Sequence, residues 1–168
     1  VGSNVLNGIR TIEMWFRPRT NINALNATPN YTALIVRNDP TEWEEFGLFF
    51  DGTAGVTDGQ LIFFARQAHA IQLVPSGFAS WAANTWYHVV ATIEAPGAGI
   101  HPGMNLYVNG VHLGNNPLRN TAITPTTQIT ALGCWGDDIV VNRFFEGQIE
   151  NVRLWSRELI QDPGVPID

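Results

Sequence analysis

The sequence predicts an all-β fold, a two-sheet antiparallel sandwich, on three observations. Short apolar runs alternate with a two-residue period, the period of a strand with one buried face. Glycine, proline and asparagine clusters separate these runs at close intervals. One stretch carries a hairpin signal: MNLYVNGVHL, in which Asn109-Gly110 supplies the positive-φ pair of a type I′ turn between Leu106-Val108 and Val111-Leu113.

The remaining elements follow in order. IRTIEMWFR (9–17) sets Ile12, Met14 and Phe16 against Thr11, Glu13, Trp15 and Arg17, and Pro18 ends the strand. A polar loop covers 19–30, and its two Asn-x-Thr triplets are no more than composition supplies by chance. YTALIVR (31–37) is a strand, and the acidic loop 38–45 follows it. FGLFF (46–50) and LIFFAR (61–66) are apolar strands joined by DGTAGVTDG. Ala70–Val74 is a short strand stopped by Pro75, and 78–84 is a loop holding Trp81. WYHVVATI (86–93) alternates cleanly and precedes the hairpin. A Thr- and Pro-punctuated stretch (115–128) leads to a strand at 128–134, a loop at 135–138 and a long strand at 144–155. One helical turn is expected at 156–160, with Ser156 as N-cap.

Composition bounds the function. At 168 residues the chain suits a single domain over 1–168, with the look of a piece excised from a larger protein. Its net charge of −6 argues against nucleic acid as partner. No apolar run approaches the ~20 residues of a spanning helix, which argues against membrane insertion. All nine basic residues are arginine, a composition bias or a preference for bidentate contact with carboxylates and sulfates. Cys134 stands alone, which predicts a free buried thiol.

Catalysis finds little support. A glycosidase needs two carboxylates about 5–9.5 Å apart, whereas Glu146 and Glu150 on an extended strand lie roughly 13 Å apart. The histidines at 69, 88, 101 and 112 lack zinc-ligand spacing. Glu13 is read as a cross-strand ion pair with Arg153.

The order TIEMWFRP, IVRND, FGLFF, DGQLIFFA, WYHVVATI, MNLYVNG, FFEGQIENVRLWSREL resembles a laminin-G-like or pentraxin-like jelly roll of the concanavalin A-like lectin/glucanase superfamily, over about residues 9–160. The Glu-x-Asp-x-x-Glu strand of the superfold's laminarinase-type hydrolases is absent, and so are the alginate-lyase signatures. The resemblance implies a non-catalytic carbohydrate-binding or adhesion module at an extracellular or cell-surface location, within a multidomain chain. The alternatives are a protein-binding or structural module of a surface assembly and, third, a polysaccharide hydrolase or lyase.

Trp15, Trp86, Trp155 and Tyr107 match the family pattern and are read as shared packing. Trp43, Trp81 and Trp135 fall in loops, where recognition usually lives. A ring beside fixed polar groups suits a sugar's C–H face and hydroxyls. The expected carbohydrate-binding set is therefore Trp43, Glu45, Trp81, Trp135, Asp137 and Arg143. The resemblance also implies Ca²⁺, for which Asp137 and Asp138, or the Asp51…Asp58 loop, supply oxygens. Glu150 stands where the family's closing motif more often has Asp, which counts against a calcium held there.

Overall fold

The computed structural model describes residues 8–23, 32–37, 46–52, 57–67, 70–96, 101–118, 121–122, 130–136 and 141–159. Among these residues fourteen strands run in order: β1 (Thr11–Pro18), β2 (Ile22–Asn23), β3 (Thr32–Arg37), β4 (Phe46–Phe50), β5 (Leu61–Gln67), β6 (Ala70–Pro75), β7 (Ser80–Trp81), β8 (Tyr87–Glu94), β9 (Gly103–Val108), β10 (Val111–Asn116), β11 (Thr130–Leu132), β12 (Trp135–Gly136), β13 (Val141–Asn142) and β14 (Gly147–Trp155). They build two five-stranded antiparallel sheets, β10-β9-β8-β1-β14 and β11-β3-β4-β5-β6. Two-residue ribbons β2-β7 and β12-β13 flank them. This is the predicted jelly-roll sandwich.

The alternation read in the sequence decides which side chains face inward. Ile12, Met14 and Phe16 of β1 pack with Val89, Ala91 and Ile93 of β8 and Met104, Leu106 and Val108 of β9. Leu34, Leu48, Phe50, Leu61 and Phe63 of the second sheet meet them across the sandwich. At one end the core is aromatic: Phe16 lies 5.6 Å from Phe50, 5.6 Å from Trp81 and 5.3 Å from Tyr87. A second apolar cluster of Ala33, Val36, Phe49, Ile62 and Phe64 lies apart from this core, with Trp135 packed against it.

The β9–β10 hairpin forms as expected, with Val108 paired to Val111 and φ values of 49° at Asn109 and 77° at Gly110. The helical turn expected after Trp155 does not form over 156–159. Its backbone groups bond to β1 instead: Thr11 Oγ1 donates to the Arg157 carbonyl and accepts from Leu159 N–H. The Glu158 carboxylate is held by Arg10 and by Ala95 N–H. Tertiary partners therefore outcompete local helix hydrogen bonds. Cys134 is free but half-buried rather than sealed in the core.

Candidate functional site

Directly opposed residues on neighbouring strands share a face, so the register lays out the outward face of the first sheet row by row. Arg17 of β1 opposes Gln148 of β14. Trp15 opposes Glu150 on one side and His88 on the other. Glu13 opposes Arg153 and Val90, Val90 opposes Tyr107, and Tyr107 opposes His112. Thr11 opposes Trp155 and Thr92, and Thr92 opposes Asn105. Apart from Val90, the side chains so placed on this face are polar or aromatic, whereas apolar ones cover the inner face of the same strands.

The end of the face near Arg17 is open. Trp15 is 39% exposed and stacks on the His88 ring at 4.9 Å. Trp86, half-buried just ahead of β8, lies under the Arg17 guanidinium at 6.0 Å from its ring centre. Glu13 holds this arrangement from below. Its carboxylate is 3.1 Å from His88 Nε2 and accepts from Trp155 Nε1 at 3.2 Å and Arg153 at 3.4 Å. The Glu13–Arg153 pair is the cross-strand ion pair that the sequence implied.

Beyond Arg17 the face ends in a groove of about 410 Å³ lined by Arg17, Pro18, Arg19, Asn84, Glu146, Gly147 and Gln148. Three bonds from Arg17 build its wall: Nε to the Asn84 carbonyl at 3.1 Å, one terminal nitrogen to Asn84 Oδ1 at 3.4 Å, the other to Gln148 Oε1 at 3.2 Å. Asn84 sits at φ 58°, which its short polar side chain tolerates, and its N–H donates to the Pro18 carbonyl at 2.8 Å. Position 147 admits only glycine, because a Cβ there falls within 2.7 Å of the Phe145 ring.

The opposite end of the face is closed. Thr11, Thr92 and Asn105 are fully buried, and Glu94 is nearly so. Asn105 donates to the His101 carbonyl and accepts from His112 Nε2, and the two imidazoles stack at 4.0 Å. Glu94 Oε2 and Thr92 Oγ1 are buried without a hydrogen-bond partner. Burial and the nearby Glu158 raise the Glu94 pKa above its ordinary value. Burial and Glu94 push Tyr107 up to about 12. Burial and the neighbouring His101 lower His112.

The Glu94 and His112 shifts act on stability in opposite directions. The folded state takes up fewer protons at His112 than the unfolded chain does, so His112 weakens the fold as pH falls from 6.5 toward its depressed value. Glu94 binds its proton more tightly when folded, so it weakens the fold as pH rises from 4.5 through its elevated value. Urea titrations at several pH values are expected to show His112→Gln flattening the acid-side loss. Glu94→Gln is expected to flatten the loss on the other side.

Of the residues expected from sequence, the structure brings Trp135 and Arg143 together. Trp43, Glu45, Asp137 and Asp138 lie outside the described residues. Trp81 is corrected: it is 1% exposed on β7, wedged among Phe16, Phe50, Phe78 and Tyr87, with Nε1 donating to the Gly59 carbonyl at 3.0 Å. No ring face is left for a ligand. Trp135 is half-buried, stacked on Phe64 at 5.8 Å, with the Arg143 guanidinium 5.3 Å from its ring centre. It serves as a cover for the second apolar cluster, with Arg143 over its ring. Asp51 is a turn residue: its carboxylate takes the Thr57 hydroxyl and its carbonyl takes Gly59 N–H. Among the described residues no three His, Cys, Asp or Glu side chains gather as a metal site. The one bulge of the β1–β14 pairing falls beside Asn151, at φ 52°, so Glu150 keeps its place opposite Trp15, while Glu146 precedes the strand.

A jelly-roll sandwich with one polar, aromatic sheet face is the lectin-like class of β-protein. A family model of the concanavalin A-like lectin/glucanases superfamily matches residues 2–162, and the chain belongs to that family. No curated protein matches it by sequence. Among solved structures it is similar to domain 4 of AbnA, an extracellular GH43 arabinanase from Geobacillus stearothermophilus, in complex with arabinotriose. There the TM-score is 0.60 at 18% identity, over 90% of this chain and 62% of that one. It is also similar to a heptameric SAP-like pentraxin from Limulus polyphemus, with TM-score 0.57 and 15% identity over 91% of this chain and 66% of that one. Domains LG4-5 of the mouse laminin α1 chain give 0.54 at 12% identity, over 96% and 43%. The chain thus spans two-thirds or less of these structures, and at such identities the likeness is one of fold. Among the described residues no helix is long and apolar enough to cross a membrane.

Proposed function

We propose that the chain is a non-catalytic carbohydrate-binding or adhesion module of an extracellular, multidomain protein. Its glycan lies along the open end of the first sheet's outward face. The observation that carries this reading is the row of Trp15 and Trp86 leading into the groove walled by Arg17, Asn84 and Gln148. Rings present C–H-binding surface, and amide, guanidinium and carboxylate groups meet hydroxyls. The groove's size falls within the range of small-ligand clefts. The arabinotriose complex of a similarly folded domain supports a saccharide as ligand. No step of bond cleavage is assigned to the face.

Calorimetric titration against a panel of oligosaccharides tests this. At least one saccharide is expected to bind, with Trp15→Ala and Trp86→Ala each weakening it about tenfold, the loss of one stacking contact. A panel without a single binder, or unchanged affinity in both variants, rejects the reading.

A protein-binding role is the second reading, on one observation. Ile71 and Leu73, 49% and 47% exposed, project from the same face of β6, which lies at the margin of the second sheet. A partner held there is expected to be lost with Ile71→Ser/Leu73→Ser and kept with Trp86→Ala.

A further inference from the structure

We infer that the groove selects an acidic saccharide, one carrying a carboxylate or a sulfate ester, and that Arg19 is the residue that reads the charge. This deepens the reading just given and rests on it. Two guanidiniums, Arg17 and Arg19, line a groove that holds a single carboxylate, Glu146. The two arginines differ in what they have left to offer. Arg17 spends donors on Asn84 and Gln148 and is locked as wall, over the Trp86 ring.

Arg19 is exposed, and its backbone is pinned by the bond from its N–H to the Glu146 carbonyl at 2.8 Å. Among the described residues its guanidinium has neither a hydrogen-bond nor an ion-pair partner. A planar five-donor fork fixed at its base and free at its tip fits a carboxylate or sulfate through two parallel bonds. The remaining groups, Asn84, Gln148 and Glu146, are suited to neutral hydroxyls, so they hold the sugar without reading its charge. The domain's net charge of −6 repels anions at long range, which makes a local pair of arginines the place where an acidic ligand can settle.

The test uses three matched oligosaccharides titrated by calorimetry: a hexuronate oligomer, its carboxyl-reduced neutral counterpart, and a sulfated form of that neutral chain. An acidic form is expected to bind about tenfold more tightly than the neutral one at low ionic strength, with the gap narrowing as salt rises. Whichever acidic arm is tighter identifies the group. In Arg19→Gln the acidic-to-neutral ratio is expected to fall toward one, and Arg19→Lys to restore part of it as a point charge without the fork. Equal affinities for all three arms in the unaltered protein overturn this inference and leave glycan binding standing. So does a ratio that survives Arg19→Gln. Failure of every arm to bind overturns this inference, and the glycan reading then stands or falls on the wider oligosaccharide panel.

Discussion

Trp81→Ala is expected to lower the free energy of unfolding by about 3–5 kcal/mol, the range for deleting a buried aromatic side chain. The residue is among the largest fully buried side chains, and its ring meets Phe16, Phe50, Phe78 and Tyr87 from four segments of chain. Truncation opens a cavity where β1, β4, β7 and β8 converge, and it leaves the Gly59 carbonyl of the β4–β5 turn without the indole donor. Trp81→Phe keeps most of the packing and loses the hydrogen bond, so about 1–2 kcal/mol is expected. Urea unfolding followed by tryptophan fluorescence and far-ultraviolet dichroism measures both. Saccharide affinity, read under conditions where the variant stays folded, is expected to match that of the unaltered protein. A variant of undiminished stability that no longer binds sugar would return Trp81 to the ligand and sink the assignment to the core.

That residue also shows where sequence reasoning stopped. The strands were legible because a two-residue period is written locally, in TIEMWFR and WYHVVATI. The β9–β10 turn was legible because Asn109-Gly110 carries its own conformational requirement. Nothing local marks Trp81 as buried. Its segment, 77–81, has no period, and its burial is decided by rings brought in from strands far away in sequence. The groove is non-local in the same way, since residues 17–19, 84 and 146–148 meet only through the antiparallel pairing of β1 with β14 and the contact of 84 with β1. Trp15 and Trp86 are different. Their alternation with Phe16 and Tyr87, both inward, already placed them on the outward face, and family resemblance had reassigned them to packing. Trp135 is drawn onto the second apolar cluster because a sheet with apolar side chains on both faces needs a second cover.

Glu13→Ala is expected to combine a stability loss of about 3 kcal/mol with a weakening of saccharide binding that no direct contact explains. Glu13 is 4% exposed, and its carboxylate is the shared acceptor for His88, Trp155 and Arg153. The Arg153 pair contributes little of this, because that guanidinium is half-exposed and water replaces the lost partner. The weight lies with Trp155 Nε1 and the His88 ring, which lose an acceptor in a place water reaches poorly. His88 in turn stacks under Trp15, so its release frees the exposed ring that the glycan is proposed to meet. Glu13→Gln retains an acceptor oxygen of nearly the same shape and is expected to restore most of both losses, where Glu13→Leu fills the volume and restores neither. Denaturant titration and calorimetric titration on the same three variants separate the outcomes. If affinity stays constant while stability falls, Trp15 is held by its own strand alone and the Glu13–His88 support is structural only. If the two fall and recover together, the face binds sugar because a buried carboxylate holds its imidazole in place.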